Sequence, residues 1–223
     1  QTRALVAAYD KALQRLEGDA TLSRADRMSA VIARIDLARI DAPKDAKTVK
    51  LPPALVKDVR THVARDDREI TDGYERQAVI TTGAYALRRA GLMSESDALL
   101  KANLAKSHSP YYLMSALASN AKARGDKAEA LRWYQEAFDK SEGPATRLQW
   151  GASYLNALVE LSPQDESRIE KTASQLLTEA AAHYAEATRL ATAYQSESEL
   201  ALMSWFEWGN LALEAGELAD AIA

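Results

Sequence analysis

The chain has 223 residues, contains no cysteine and has a formal net charge of -4. The absence of thiols excludes a disulfide framework, a thiol nucleophile and a thiolate metal site. Acidic and basic residues are interspersed, which argues against a basic stripe for nucleic acid, and no apolar run approaches the roughly 18 residues that cross a bilayer. We therefore expect no nucleic-acid partner and no insertion into a membrane.

Residues 1–50 predict an atypical N-terminal helical hairpin. Helix formers dominate the chain, which has only 9 Gly and 6 Pro, so we expect an all-α fold throughout. The first helix should span residues 2–16 and end at Gly18, and the second should begin near Ser23, a residue type that caps helices. The apolar side chains that share one face of the first helix are Leu5, Tyr9, Ala12, Leu13 and Leu16.

A stretch rich in Pro, Asp and Lys interrupts the helical pattern over residues 41–53. Such composition favours a long loop or a boundary, and we place the change to a second region, 51–223, at this point. A third helix is predicted to start at Pro53, because proline is tolerated in the first turn of a helix.

An internal repeat follows. A helix over residues 74–90 ends at Gly91, and the next comparable glycine, Gly125, lies 34 residues later. Residues 110–144 predict two helices joined by a turn at 124–126 and closed by a proline. This size and punctuation are typical of one tetratricopeptide unit.

Two aromatic motifs extend the pattern toward the end of the chain. Arg147-x-x-Trp150-Gly151-x-x-Tyr154 and Trp205-x-x-Trp208-Gly209-Asn210 have the spacing of first helices in such units, and a helix should restart at 162–163. Trp150, Tyr154, Trp205 and Trp208 are expected to be core residues. The sequence stops in mid-helix without a polar capping element, so we expect a fragment whose uncapped end could support a homo-oligomer.

These motifs, with Ala130-x3-Tyr134-x2-Ala137, resemble those of tetratricopeptide (TPR) repeat proteins. The resemblance covers about residues 74–223. It implies a right-handed superhelix of stacked antiparallel helical hairpins, a TPR-like α-solenoid. It also implies a concave groove that binds a protein or peptide segment.

A second resemblance covers residues 98–179, which are similar to the helical C-terminal half of bacterial periplasmic thioredoxin-like proteins. It implies a periplasmic location and a helical appendage that serves a redox domain. This chain has no Cys-x-x-Cys pair, so no redox role falls on its own residues. A cytoplasmic location is the alternative.

No residue pattern predicts a catalytic, cofactor or metal site. His62, His108 and His183 occur singly, and the nine glycines are too isolated to form a phosphate-binding loop. Ser107-His108-Ser109 places an imidazole beside hydroxyls, but neighbours in sequence seldom form a catalytic relay.

We therefore predict a non-catalytic interaction module whose first helices, over 74–90, 109–124, 145–160 and 197–215, line the groove. For each candidate contact residue, a packing or surface role is the alternative. Two alternatives remain for the chain as a whole: it is a helical appendage of a thioredoxin-like protein, or it is a helical enzyme that no motif reveals. The candidate contact residues are Tyr85, Tyr112, Ser119, Asn120, Asn156, Phe206 and Asn210.

Overall fold

The structure is a computed structural model that describes residues 2–43 and 49–194. Within these residues it contains nine helices and no strand, which confirms the all-α fold class. The helices are α1 (Thr2–Gly18), α2 (Arg24–Ala38), α3 (Pro53–Glu69), α4 (Gly73–Arg89), α5 (Met93–Asn103), α6 (Tyr111–Arg124), α7 (Lys127–Asp139), α8 (Pro144–Leu161) and α9 (Glu166–Tyr194).

The helices form two compact units, divided between Lys140 and Ser141. Unit 1 contains α1 to α7, and unit 2 contains α8 and α9. The sequence predicts a change near residue 50 from an atypical hairpin to repeats, and this position falls inside unit 1. It remains a prediction.

Local sequence signals account for most helix ends. The Ser23 hydroxyl accepts a hydrogen bond from the Asp26 amide at 3.1 Å, which confirms Ser23 as the cap of α2. Asp126 caps α7 in the same way, because its carboxylate accepts a hydrogen bond from the Glu129 amide at 3.0 Å. Gly125 ends α6 with a φ of 82°, a left-handed conformation that glycine adopts without strain.

The N-terminal hairpin forms, but α1 does not bury the face that its apolar residues suggest. Of the five residues on that face only Leu13 is buried, whereas Leu5, Tyr9 and Leu16 are 71%, 54% and 44% exposed. The amphipathic pattern of α1 therefore does not describe how this helix packs on α2.

The reason is an arginine in α2. Arg34 is buried and donates hydrogen bonds to Asp10 at 2.8 Å and to Glu17 at 2.6 Å, and these carboxylates lie beside Leu13 on α1. Arg34 also donates to Asp58 of α3 at 3.2 Å. Since a buried guanidinium must be paired, these contacts turn α1 so that its acidic side faces α2.

The helices of unit 1 pack in a regular order. α2, α4 and α6 contact one another in sequence, α3 packs on both α2 and α4, and α5 packs on both α4 and α6. Arg24 pairs with Glu75 near the starts of α2 and α4, and Arg89 pairs with Asp36 near their ends. These two pairs show that α2 and α4 run parallel.

Two apolar clusters hold this arrangement together. The first joins α2, α3 and α4, where a Cβ added to Gly83 would lie 3.3 Å from Val63 Cγ2, so glycine permits the close contact between α3 and α4. The second joins α4, α5, α6 and α7 around buried aliphatic side chains and Trp133. α4 belongs to both clusters and is the centre of unit 1.

Unit 2 is an antiparallel pair of helices. Trp150 and Tyr154 are buried, as predicted for core positions. Arg147 in α8 donates two hydrogen bonds to the Glu179 carboxylate in α9, both at 2.8 Å, and Arg168 donates to the Tyr154 hydroxyl at 2.6 Å. These polar contacts fix the register of α8 against α9.

Candidate binding surface

The candidate surface lies on the sides of α4 and α6 that face away from the neighbouring helices. The buried side of α4 contacts α2, α3, α5 and α6, and Tyr85 lies on its other side with 40% of its surface exposed. On α6 a spacing of three and four residues places half-buried Tyr112, Ser115 and Ser119 on one side. We call these four residues the tyrosine face.

The tyrosine face has a fixed aromatic lining. The guanidinium of Arg88 lies 5.1 Å from the centre of the Tyr85 ring, a cation–π contact that restricts both side chains. The rings of Tyr111 and Tyr112 lie 5.2 Å apart at an angle of 36°, and both pack against the second apolar cluster. Tyrosines held in this way offer a flat apolar surface and a hydroxyl at little cost in entropy.

Asn120 was predicted to contact a partner, and the structure places it in the interior instead. Only 2% of its surface is exposed, and its amide donates hydrogen bonds to Ser96 at 2.9 Å and Asp97 at 2.8 Å. Ser96 in turn donates to the backbone carbonyl of Ala84 at 2.8 Å. Because this chain of bonds ties α4, α5 and α6 together, Asn120 serves packing and is not part of the tyrosine face.

The other predicted contact residues belong elsewhere. Asn156 is exposed on α8 in unit 2. Phe206 and Asn210 lie outside the described residues. The structure therefore brings Tyr85, Tyr112 and Ser119 to the same pair of neighbouring helices, whereas Asn120 is buried and Asn156 lies on α8.

A second polar cluster, which the sequence did not reveal, joins α3, α4 and α5. Buried Arg76 donates to Asp67 at 2.8 Å and to the Asn103 side-chain oxygen at 2.6 Å, and it also bonds the carbonyl of Ile70. The Asn103 amide returns a hydrogen bond to Asp67 at 3.0 Å. The available sequence signal was Asn103, which follows the apolar positions of α5. Such a residue does not predict its hydrogen-bond partners until the fold is known.

A groove of about 580 Å³ lies between α1, α2 and the start of α3. Its walls are mainly apolar, and Arg34 and Asp10 supply charge. At the nearby Arg34 cluster, burial raises the pKa of Glu17 against the lowering effect of Arg34. No sequence motif marked this groove.

His108 and Ser109 do form a hydrogen bond, at 2.9 Å between Nδ1 and the hydroxyl. Ser109 is buried, and the His108 ring is stacked on Tyr74 with 3.8 Å between ring centres. The His108 amide also donates to the Gly73 carbonyl at 3.2 Å. These contacts anchor the turn before α6 to the start of α4.

Within the described residues, no group of three or more His, Cys, Asp or Glu side chains is arranged to hold a metal ion. Among the same residues, no helix has both the length and the apolar composition needed to cross a membrane.

No family model matches this chain, and neither the curated proteins nor the solved structures include a significant match to it.

Proposed function

We propose that the chain is a non-catalytic, TPR-like α-solenoid that binds a protein or peptide segment. The packing order of unit 1 supports this proposal. α4 contacts α2, α3 and α5, and α6 contacts α4, α5 and α7. Each of the two helices therefore packs on the helix two places before it and on both of its neighbours in the chain, as helices do in a stacked array. In the proposed fold, α4 and α6 line the inner side of a right-handed superhelix.

The tyrosine face is the proposed contact surface. Tyr85 and Tyr112 would pack against apolar or planar side chains of the bound segment, and the hydroxyls of Ser115 and Ser119 would bond its backbone. None of these four side chains is charged, and the guanidinium of Arg88 lies beside them on the Tyr85 ring, so the surface offers aromatic packing, hydroxyl hydrogen bonds and one cation to a bound segment.

The observation that carries the proposal is that exposed and half-buried tyrosines lie on helices that are joined to their neighbours by buried hydrogen bonds. The hydrogen bonds from Asn120 to Ser96 and Asp97 join α6, which carries Tyr112 and Ser119, to α5. A surface held in place before binding loses less entropy when a partner docks, and this raises affinity.

A peptide selection tests the proposal. Random peptides displayed on phage are selected against the full chain, and the affinity of the winners is measured by fluorescence anisotropy. We expect the Tyr85→Ala, Tyr112→Ala double variant to bind at least about tenfold more weakly, since buried tyrosines at interfaces contribute about 1–3 kcal/mol.

The matched control removes two tyrosines elsewhere, with Tyr9→Ala on α1 and Tyr184→Ala on α9. It should leave the affinity unchanged. Equal losses in both double variants, or a loss in the control alone, would remove the tyrosine face as the binding surface.

A further inference from the structure

The groove in unit 1 is built by three helices, of which the two outer ones do not pack on each other. α1 and α3 both pack on α2, and α1 makes no packing contact with α3 among the described residues. α2 is therefore the floor of the groove, and α1 and the start of α3 are its walls. The groove volume of about 580 Å³ lies within the range of small-molecule sites, roughly 300–1,000 Å³.

Most of the groove lining is apolar. α1 contributes Val6 and Ala7, α2 contributes Leu37, and α3 contributes Leu55. Ile40, which follows α2, also lines the groove, and 63% of its surface is exposed. Because this recessed apolar surface is still in contact with water, an apolar group of a ligand gains free energy by covering it.

The polar groups around Arg34 in the groove are bonded to one another. Asp10 accepts hydrogen bonds from Arg34 at 2.8 Å and from Gln14 at 2.6 Å. The same guanidinium also donates to Glu17 and Asp58. Three carboxylates therefore share one guanidinium, and this part of the groove has no positive charge to spare for an anionic ligand group.

Two other charged side chains line the groove, one of each sign. Arg3 lies in the first turn of α1, and Asp41 follows the end of α2. Within the described part of the chain, neither side chain makes an ion pair or a hydrogen bond. Since α1 and α2 form a hairpin, the start of α1 and the end of α2 lie at the same end of the groove. One cation and one anion are therefore free at that end.

We propose that this groove binds a zwitterionic α-amino acid with a large apolar side chain. The ligand carboxylate pairs with Arg3, its ammonium group pairs with Asp41, and its side chain covers the apolar lining. A ligand with a single charge would be attracted by one of the two residues and repelled by the other. This site is separate from the tyrosine face and does not depend on the function proposed for that surface.

Isothermal titration calorimetry of the full chain tests the ligand class. L-tryptophan, tryptamine and indole-3-propionate share an indole ring, but tryptamine lacks the carboxylate and indole-3-propionate lacks the ammonium group. Exposed ion pairs are weak, so we expect L-tryptophan to bind about fivefold more tightly than either analogue. L-phenylalanine and L-leucine are titrated in parallel as smaller apolar amino acids.

Two variants assign the charged groups. In Arg3→Gln the affinity ratio of L-tryptophan to tryptamine should fall to about one, and in Asp41→Asn the ratio of L-tryptophan to indole-3-propionate should do so. A general disturbance of the fold would instead weaken all three ligands equally. The matched control is Arg15→Gln with Asp139→Asn, which removes two exposed charges outside the groove and should leave every ratio unchanged.

A third variant places the ligand in the groove. Ala7→Phe puts a large side chain into the groove from an exposed position on α1 and should abolish binding of L-tryptophan. Ala8→Phe is its control, because Ala8 is also exposed but does not line the groove. Circular dichroism of both variants should match that of the unchanged chain.

Three results would overturn the proposal. One is the failure of L-tryptophan, L-phenylalanine and L-leucine alike to bind the full chain. Another is a single-charge analogue that binds as tightly as L-tryptophan, because the two charges would then not act together. The third is unchanged binding of L-tryptophan to the Ala7→Phe variant, which would place the ligand outside the groove.

Discussion

The two units each contain a buried or half-buried arginine–glutamate pair, and the two glutamates respond in opposite ways. In unit 1 the side chains of Arg34 and Glu17 are both buried, and burial raises the pKa of Glu17. In unit 2 Arg147 donates two hydrogen bonds to Glu179, and these bonds lower the pKa of Glu179 to about 2. Burial disfavours the charged form of Glu17, whereas the hydrogen bonds from Arg147 favour the charged form of Glu179.

The difference shows what each pair contributes. Loss of water penalises the charged form of Glu17 more than the charge and the hydrogen bond of Arg34 favour it, whereas two parallel hydrogen bonds from Arg147 favour the charged form of Glu179. The buried pair therefore sets the orientation of α1 more than it stabilises the fold. Unit 1 has such buried polar clusters around Arg34, Arg76 and Asn120, where successive helices contact one another.

The largest effect is expected when one of those clusters loses its arginine. Arg76→Met leaves the buried Asn103 oxygen and the Ile70 carbonyl without their donor, and removal of one partner from a buried charged cluster costs about 3 kcal/mol or more. Urea unfolding of the full chain measures the loss of stability. Arg68→Met, on the exposed end of α3, is the control and should change stability by less than about 0.5 kcal/mol.

A smaller effect is expected at Glu179. Because its pKa is lowered to about 2, its stabilising contribution is present above the ordinary value of 4.5 and is lost as pH falls between these values. Glu179→Gln should remove this pH dependence and about 1 kcal/mol of stability at neutral pH, a figure reduced for screening because 28% of the side chain is exposed. Unfolding curves recorded at a series of pH values, with a spectroscopic probe in unit 2, test both the loss of stability and its pH dependence. If Glu179→Gln loses as much stability at low pH as the unchanged chain, the bidentate contact is contradicted.

The smallest effect is expected at Glu17, because burial and Arg34 act on it in opposite directions. A raised pKa means that stability declines as pH rises from the ordinary value of 4.5 through the folded-state pKa of Glu17. Glu17→Gln keeps a hydrogen-bond acceptor for Arg34 and removes this decline. The same pH series should therefore show Glu17→Gln and Glu179→Gln changing the stability profile with opposite sign. Changes of equal sign would contradict the comparison.

The sequence was most informative where a local signal fixes the backbone. Ser23, Pro53 and Gly125 mark helix ends that the structure shows within one or two residues of the predicted positions. Caps and turns depend on side-chain oxygens, fixed φ angles and left-handed glycines, which can be recognised without knowledge of the fold.

Tertiary polar contacts could not be predicted in the same way. Asn120 falls on the same helix as Tyr112 and Ser119, but its angular position on α6 faces Ser96 and Asp97, which lie more than twenty positions earlier in the sequence. Likewise, the apolar spacing of α1 does not indicate that Arg34 pulls Asp10 and Glu17 inward. Such partners become visible only once the helices are packed.

The same limit applies to the candidate surface. Helical spacing predicts that Tyr112 and Ser119 share one side of a helix, because residues seven positions apart lie on the same helical face. The addition of Tyr85 depended on α4 and α6 being neighbours, which the repeat pattern suggested and the packing of unit 1 shows. Residue positions on separate helices can be combined into a surface only after the order of packing is known.

The central claim is that the tyrosine face binds a peptide segment. Its most direct test is hydrogen–deuterium exchange of the full chain with and without a peptide selected against it. We predict slower exchange in α4 and α6, centred on Tyr85, Tyr112 and Ser119, and no change in the groove between α1 and α2. Protection confined to that groove, or absent from α4 and α6, would contradict the account.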